Sequence, residues 1–150
     1  MGRTDVPWVR TGLDNYMGRL KHYASFELVE IPELKNVSAL TKDQIKQKEG
    51  EQILRCVKPG AALVLLDEHG REFRSVEFAA WLGDRLARDP RDLVFAVGGA
   101  YGFSAEVYER AEGKISLSKM TFSHQMVRTI FAEQLYRAFT IMRNEPYHHE

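Results

Sequence analysis

The sequence predicts an α/β fold, a mostly parallel sheet flanked by helices, and three observations predict it. Two continuous apolar runs, AALVLL at residues 61–66 and LVFAV at residues 93–97, read as strands buried on both faces. Segments with apolar residues at helical spacing alternate with them, the pattern of a sheet whose crossovers are helices. Both runs end abruptly in polar or glycine turns, LLDEHG and VGGAYG. In open sheets of this class ligands sit beyond the carboxyl ends of the strands, so these two turns are where a site is sought.

Asp5 and Pro7 mark a helix start, and Val9, Leu13, Tyr16, Met17, Leu20 and Tyr23 continue it at helical spacing. FELVEI, residues 26–31, alternates as a half-buried strand does, and Pro32 ends it. Residues 41–56 are charged and helix-prone, with Thr41 as the cap and Ile45, Ile53 and Leu54 as apolar anchors, before Pro59-Gly60 breaks the helix. The strand at 61–66 follows, and DEHGRE turns the chain. Ser75 is placed to cap a helix carrying Phe78, Ala79, Leu82 and Leu86, which stops before Asp89-Pro90. After the strand at 93–97, Ser104 caps a short helix to Ala111, and KISLS reads as one more short strand. The longest helix, residues 124–142, carries Met126, Val127, Ile130, Phe131, Leu135, Ala138 and Phe139 as a wide apolar band. A second face in a partner chain would explain that width, with Phe131, Leu135 and Phe139 as interface residues. No repeat or linker divides the 150 residues, so a single domain over 1–150 is expected.

The hydrophobic fraction of 44% and charged fraction of 28% are those of an ordinary globular protein. No apolar run is long enough to span a membrane, and MGRTDVPWVR has no signal-peptide core, so a cytoplasmic protein is expected. Cys56 is the only cysteine, which rules out a disulfide framework or a cysteine-based zinc site. Zero net charge weighs against a strong standalone nucleic-acid binder, though a local basic patch is compatible with it.

The glycine turn at residues 98–102 is Gly-Gly-x-x-Gly, neither the G-x-G-x-x-G dinucleotide fingerprint nor a Gly-Lys-Ser/Thr phosphate loop. Two readings stand side by side: a tight strand-to-helix turn needing positive φ, or a backbone kept bare for a flat ligand. Asp67 and Glu68, after a buried strand, fit a general base or metal site, or a solvated turn. His148 and His149 are adjacent and aim poorly at one ion, so no metal site is expected. Cys56 lacks a neighbouring base. His124 reads as a helix cap or a ligand contact.

Taken together, KEGEQIL, LLDEHGREFRSVEFA, FAVGGAYGFSAEVYERA, ISLSKMTFSHQMVRTIFAEQLYRAFTI and EPYHHE resemble, in order and spacing, the RlmH (YbeA) family of ribosomal RNA methyltransferases, of the SPOUT class. The resemblance runs from about Asp5 to Glu150. It implies a C-terminal deep trefoil knot, a homodimer, and transfer of a methyl group from S-adenosylmethionine to N3 of a pseudouridine in the 23S ribosomal RNA of the large subunit. It implies a cofactor pocket of Leu66, Gly98, Leu117, Ser118, Lys119, Met120, Thr121 and Phe122, in which Leu66, Leu117, Met120 and Phe122 wall the adenine. Family members begin with a short apolar strand leading into a Val-Gly-Lys/Arg-Thr turn. Here MGRT begins at that turn, so the first family strand is expected to be missing from this sequence, either because the start is placed late or because the chain lacks it.

The pseudouridine N3 must lose its proton to attack. His148 is the side chain to test first as base, and Arg137 as a phosphate or anion contact. Lys119, Arg128, Arg137 and Arg143 form the basic set of the last third. The alternative is a non-catalytic knotted ribosome-binding factor. A nucleotide-dependent oxidoreductase lacks its fingerprint.

Overall fold

The apolar run at residues 61–66 becomes the centre of a three-stranded parallel sheet in the computed structural model, which describes residues 1–149. Glu150, the last residue of EPYHHE, lies outside the described residues. Strands β1 (Ala62–Glu72), β2 (Leu93–Val97) and β3 (Gly113–Ser116) lie in the order β2-β1-β3, and β1 pairs both neighbours in parallel. A central strand with both faces covered needs apolar side chains in succession. Accordingly Leu63 and Leu65 are fully buried, as is Ala62 between them and Ala61. Helices α2 (Lys42–Cys56) and α4 (Ala105–Arg110) supply Ile53 and Val107 to the cluster that packs on Leu63, Leu65 and Ala96. This unit comprises residues 1–4, 29–72 and 91–124.

The two helices of this unit start as predicted. Thr41 Oγ1 accepts from the Gln44 N–H at 3.2 Å, and Gln44 Oε1 accepts from the Thr41 N–H at 2.9 Å. That reciprocal pair satisfies two of the donors a helix start leaves open. Ser104 Oγ accepts from the Val107 N–H at 3.4 Å. Three expectations change. DEHGRE is not a turn: β1 continues to Glu72, with an irregularity that sets both Leu66 and Arg71 opposite Ile115. Polar and glycine residues there shift the register instead of ending the strand. β2 is half-buried except at Ala96, because it lies at the sheet edge. Residues 26–31 form no ladder among the described residues, and Val29 is 55% exposed. Alternation marked an apolar face there, but beside it the N-terminal segment contributes a backbone hydrogen bond from the Gly2 N–H to the Ile31 carbonyl at 2.7 Å and no ladder. The described sheet has three strands and none before residue 62.

A second unit gathers residues 5–28, 73–90 and those from Gln125 on. Its helices are α1 (Pro7–Leu20), α3 (Ser75–Arg88) and α5 (Met126–Met142), and α5 packs against both others. That explains the wide apolar band of α5 within one chain. Phe131 meets Phe78 of α3 with ring centroids 6.3 Å apart, and Phe139 stacks on Tyr23 at 5.8 Å. Phe131 and Leu135 are 7% and 3% exposed, so these residues serve the unit's core and are not a free interface.

The caps of this unit also differ from expectation. Ser75 is the first residue of α3, not its cap. Its Oγ donates to Gln134 Oε1 at 3.3 Å, while the preceding Arg74 N–H donates to Glu77 Oε2 at 2.9 Å. α5 starts at Met126, so His124 is not its cap. Gln125 instead closes the start of α1: its Oε1 accepts from the Asp5 and Val6 N–H groups at 3.2 and 3.1 Å, and its Nε2 donates to the Asp5 carboxylate. Pro7 at the first helical position needs no such acceptor.

Candidate functional site

Parallel pairing puts the carboxyl ends of all three strands on one edge. Leu66 of β1 lies opposite Val97 of β2 and Ile115 of β3. Gly98 follows the Val97 partner of Leu66, while on the other side Ser116 lies opposite Glu72 and Leu117 follows it. The loop after β3 is ordered by its own serines: Ser116 Oγ donates to the Ser118 carbonyl at 2.9 Å, and Ser118 Oγ accepts from the Met120 N–H at 2.9 Å. Leu117 and Ser118 are half-buried, whereas Lys119, Met120, Thr121 and Phe122 are exposed. Met120 at 76% and Phe122 at 37% exposure are large apolar side chains next to this edge, the kind of surface that a flat heterocycle covers.

The three glycines of the turn have three separate reasons. Gly102 has φ +81°, the left-handed region where side chains are strained, and its N–H donates to the Gly99 carbonyl at 3.2 Å. The positive φ expected of the turn belongs to Gly102 alone of the three. A Cβ on Gly98 would stand 3.3 Å from the buried Phe103 ring. A Cβ on Gly99 would stand 2.3 Å from Glu49 Oε2.

Glu49 is a residue that reading the sequence missed. It sits on α2 with Ile45 and Ile53, four residues from each, on the face that packs inward. It is 9% exposed, and its Oε2 has no hydrogen-bond partner among the described residues. Burial raises its pKa above the usual carboxylate value, and the Met1 ammonium pulls it back in part. The signal in the sequence was an acidic residue at the apolar period of a helix.

Asp67 is accounted for within the chain. Its carboxylate accepts from the Tyr108 hydroxyl, from the His69 N–H at 2.8 Å, and faces His69 Nδ1 at 3.2 Å. Burial alone would push its pKa up, but these hydrogen bonds outweigh it and hold the group below the usual carboxylate value. Tyr108 is pushed up to about 12 by burial and by Asp67. Such a saturated acceptor fixes the local backbone of β1 better than it removes a proton.

Arg137 and His148 come together in the second unit. Arg137 Nη1 lies 3.1 Å from His148 Nδ1, and Nη2 and Nε donate to Glu133 Oε1 at 2.6 and 3.1 Å. Arginine only donates, so Nδ1 is the acceptor and the neutral ring carries its proton on Nε2. Tyr147 closes the group: its ring lies 4.8 Å from the Arg137 guanidinium, and its hydroxyl donates to Glu133 Oε1 at 3.1 Å. Burial is the largest cause that raises the Tyr147 pKa, and its neighbours Tyr16 and Glu133 add to it. The rest of the basic set divides. Lys119 is exposed, Arg143 lies 4.6 Å from the Tyr23 ring centroid, and Arg128 is 6% exposed and thus withdrawn from an RNA-facing role. His124 Nε2 is 4.0 Å from Glu33, and His149 is exposed.

Comparison with known proteins identifies the family. A protein named ribosomal RNA large subunit methyltransferase H from Phocaeicola vulgatus is 55% identical over 150 residues, covering 100% of this chain and 96% of the relative. A protein of the same name from Bacteroides fragilis matches with the same identity and coverage, and one from Flavobacterium johnsoniae is 51% identical over 150 residues. The family model described as predicted SPOUT methyltransferase matches residues 1–148, and with relatives this similar over its full length the chain belongs to that family.

Proposed function

We propose that the protein methylates N3 of a pseudouridine in 23S ribosomal RNA, with S-adenosylmethionine as the methyl donor, in the cytoplasm and on assembled ribosomal particles. The observation that carries this reading is full-length similarity to proteins named as large-subunit ribosomal RNA methyltransferases, at 55% identity. The sheet edge supports it. Gly98 follows Val97, the partner of Leu66, Leu117 follows Ser116, the partner of Glu72, Met120 and Phe122 are uncovered, and the loop from Leu117 through Ser118, Lys119, Met120, Thr121 and Phe122 offers backbone groups for an adenine edge. The protein acts as a homodimer with a deep trefoil knot in its C-terminal half.

Bound S-adenosylmethionine supplies a methyl carbon activated by its sulfonium, so this chain's residues need only align the acceptor and remove one proton. The N3–H proton leaves to a base, N3 bonds to the methyl carbon, the carbon–sulfur bond breaks, and S-adenosylhomocysteine remains. Arg137 turns from His148 to an RNA phosphate, a bidentate contact that guanidinium geometry favours. That frees His148 Nδ1, the ring nitrogen with a lone pair, to accept the N3 proton.

The test is methyl transfer to ribosomes from a strain lacking its own copy, with the mass of the enzyme checked by light scattering. Incorporation into one pseudouridine of assembled particles, with little into protein-free RNA, is the expected outcome. Cofactor and ribosome binding without any transfer would overturn the enzyme reading in favour of a non-catalytic ribosome-binding factor.

A further inference from the structure

The glycine turn is shaped around a carboxylate that has nothing to hold. Glu49 is buried on the inward face of α2, and its carboxyl occupies the space that a side chain at position 99 would take: Oε2 at 2.3 Å, Cδ and Oε1 at 2.8 Å from the place of a Cβ. The next residue, Gly50, is pressed just as closely, since its Cβ would stand 2.3 Å from Ser104 Oγ. The helix is therefore seated firmly against the turn, and Glu49 is held at Gly99 by that seating. Yet Oε2 has no hydrogen-bond partner among the described residues. Buried acceptors in proteins are almost always filled, and leaving one empty costs free energy that a well-placed donor restores.

The turn follows Val97, which pairs with Leu66, so the carboxylate stands behind the strand ends where the cofactor reading puts the adenosyl group. An ionised carboxyl offers two acceptor oxygens. The adenosyl group offers two adjacent hydroxyl donors on its ribose, and its adenine is served by the apolar side chains and backbone of the third loop. We propose that Glu49 is a ribose-binding residue of the cofactor site, its carboxylate accepting hydrogen bonds from the 2′- and 3′-hydroxyls of S-adenosylmethionine. The proposal rests on the cofactor reading above.

Calorimetry with S-adenosylhomocysteine and its 2′,3′-dideoxy analogue tests it on the wild-type protein and on Glu49→Gln. A site built to bind hydroxyls rejects a ligand without them. The wild type should prefer the ribose form by roughly a hundredfold, as two hydrogen bonds to a charged acceptor imply. Glu49→Gln should lose about tenfold or more on the ribose form, change little on the dideoxy form, and so lose the preference. Equal wild-type affinity for the two ligands overturns the proposal, and this arm does not depend on the variant folding. Equal weakening of both ligands in Glu49→Gln overturns it as well, since that marks a general role in shaping the turn. So does weaker binding of S-adenosylmethionine with S-adenosylhomocysteine spared, which marks pairing with the sulfonium charge. If the wild type binds neither S-adenosylmethionine nor S-adenosylhomocysteine, the cofactor reading fails first.

Discussion

Burial of Glu49 fixes the sign of a stability test as well as a binding test. Its pKa is raised in the folded protein, chiefly by desolvation. A raised carboxyl contributes stability that is fully present below its unfolded pKa and is lost as pH rises through the folded one. Glu49→Gln removes that dependence, because the neutral amide resembles the protonated acid in charge. The variant and the wild type should melt alike at low pH. A gap in favour of the variant should open as pH rises past the ordinary pKa of a glutamate carboxyl and reach its full size above the folded pKa. Thermal melts across that range check it, and a wild type that stays the more stable at neutral pH would show the carboxyl to be satisfied. A side chain that costs stability while aimed at a ligand site is the usual compromise of function against stability. Ile45 and Ile53 showed the helix face in the sequence, and Glu49 lay on the same period. What the sequence hid was the turn, 50 residues further on, that keeps Glu49 dry. The separate reasons for Gly98, Gly99 and Gly102 were hidden likewise, since two of them depend on neighbours that only the fold supplies.

Among elements, the sequence read best where structure is local. The capping box at Thr41, the short helix after Ser104 and the apolar strand at 61–66 are set by residues within a few positions of one another. It read worst where a partner decides. Alternation at residues 26–31 names an apolar face but not a neighbouring strand, and strand preference without a ladder is weak. The DEHGRE stretch looked like a turn because polar and glycine residues usually are, whereas pairing with β3 carries β1 through it to Glu72. Gly70 makes that continuation feasible. A Cβ there would stand 2.6 Å from both the nitrogen and the carbonyl carbon of Ile115, and backbone cannot yield as a side chain tip does. Gly70→Ala should therefore destabilise the protein by about 1–3 kcal/mol, in the range of overpacked sites. Gly113→Ala, in the partner strand, meets nothing within 4 Å and should be close to neutral. Urea unfolding midpoints of the two variants check the contrast. Equal midpoints would show that the β1–β3 crossing is looser than this packing.

At the scale of the whole molecule, the residues proposed for the cofactor and those proposed for the proton transfer fall in different units of the chain. Leu66, Gly98, Glu49 and the loop from Leu117 to Phe122 belong to the unit that holds the sheet, while Arg137 and His148 belong to the helical unit. Composition pointed to neither group: the net charge is zero, and of the four cations counted in the last third, Arg128 is buried and Arg137 is engaged with Glu133. On the proposed reading, selectivity for RNA is expected to come from shape and from one presented base more than from bulk charge. Such a division predicts losses that separate. His148→Ala removes a proton acceptor from the helical unit and leaves the sheet edge intact. Its single-turnover methyl transfer to ribosomal particles should fall roughly a hundredfold or more, the size of a lost general base. Its affinity for S-adenosylmethionine, measured by calorimetry, should stay within about twofold, because no cofactor contact assigned to this chain involves that unit. Raising the pH should recover part of the lost rate, since N3 then sheds its proton to solvent without help. An unchanged single-turnover rate would move the proton's acceptor elsewhere, and a parallel loss of cofactor affinity would show that His148 acts on binding and not on the transfer step.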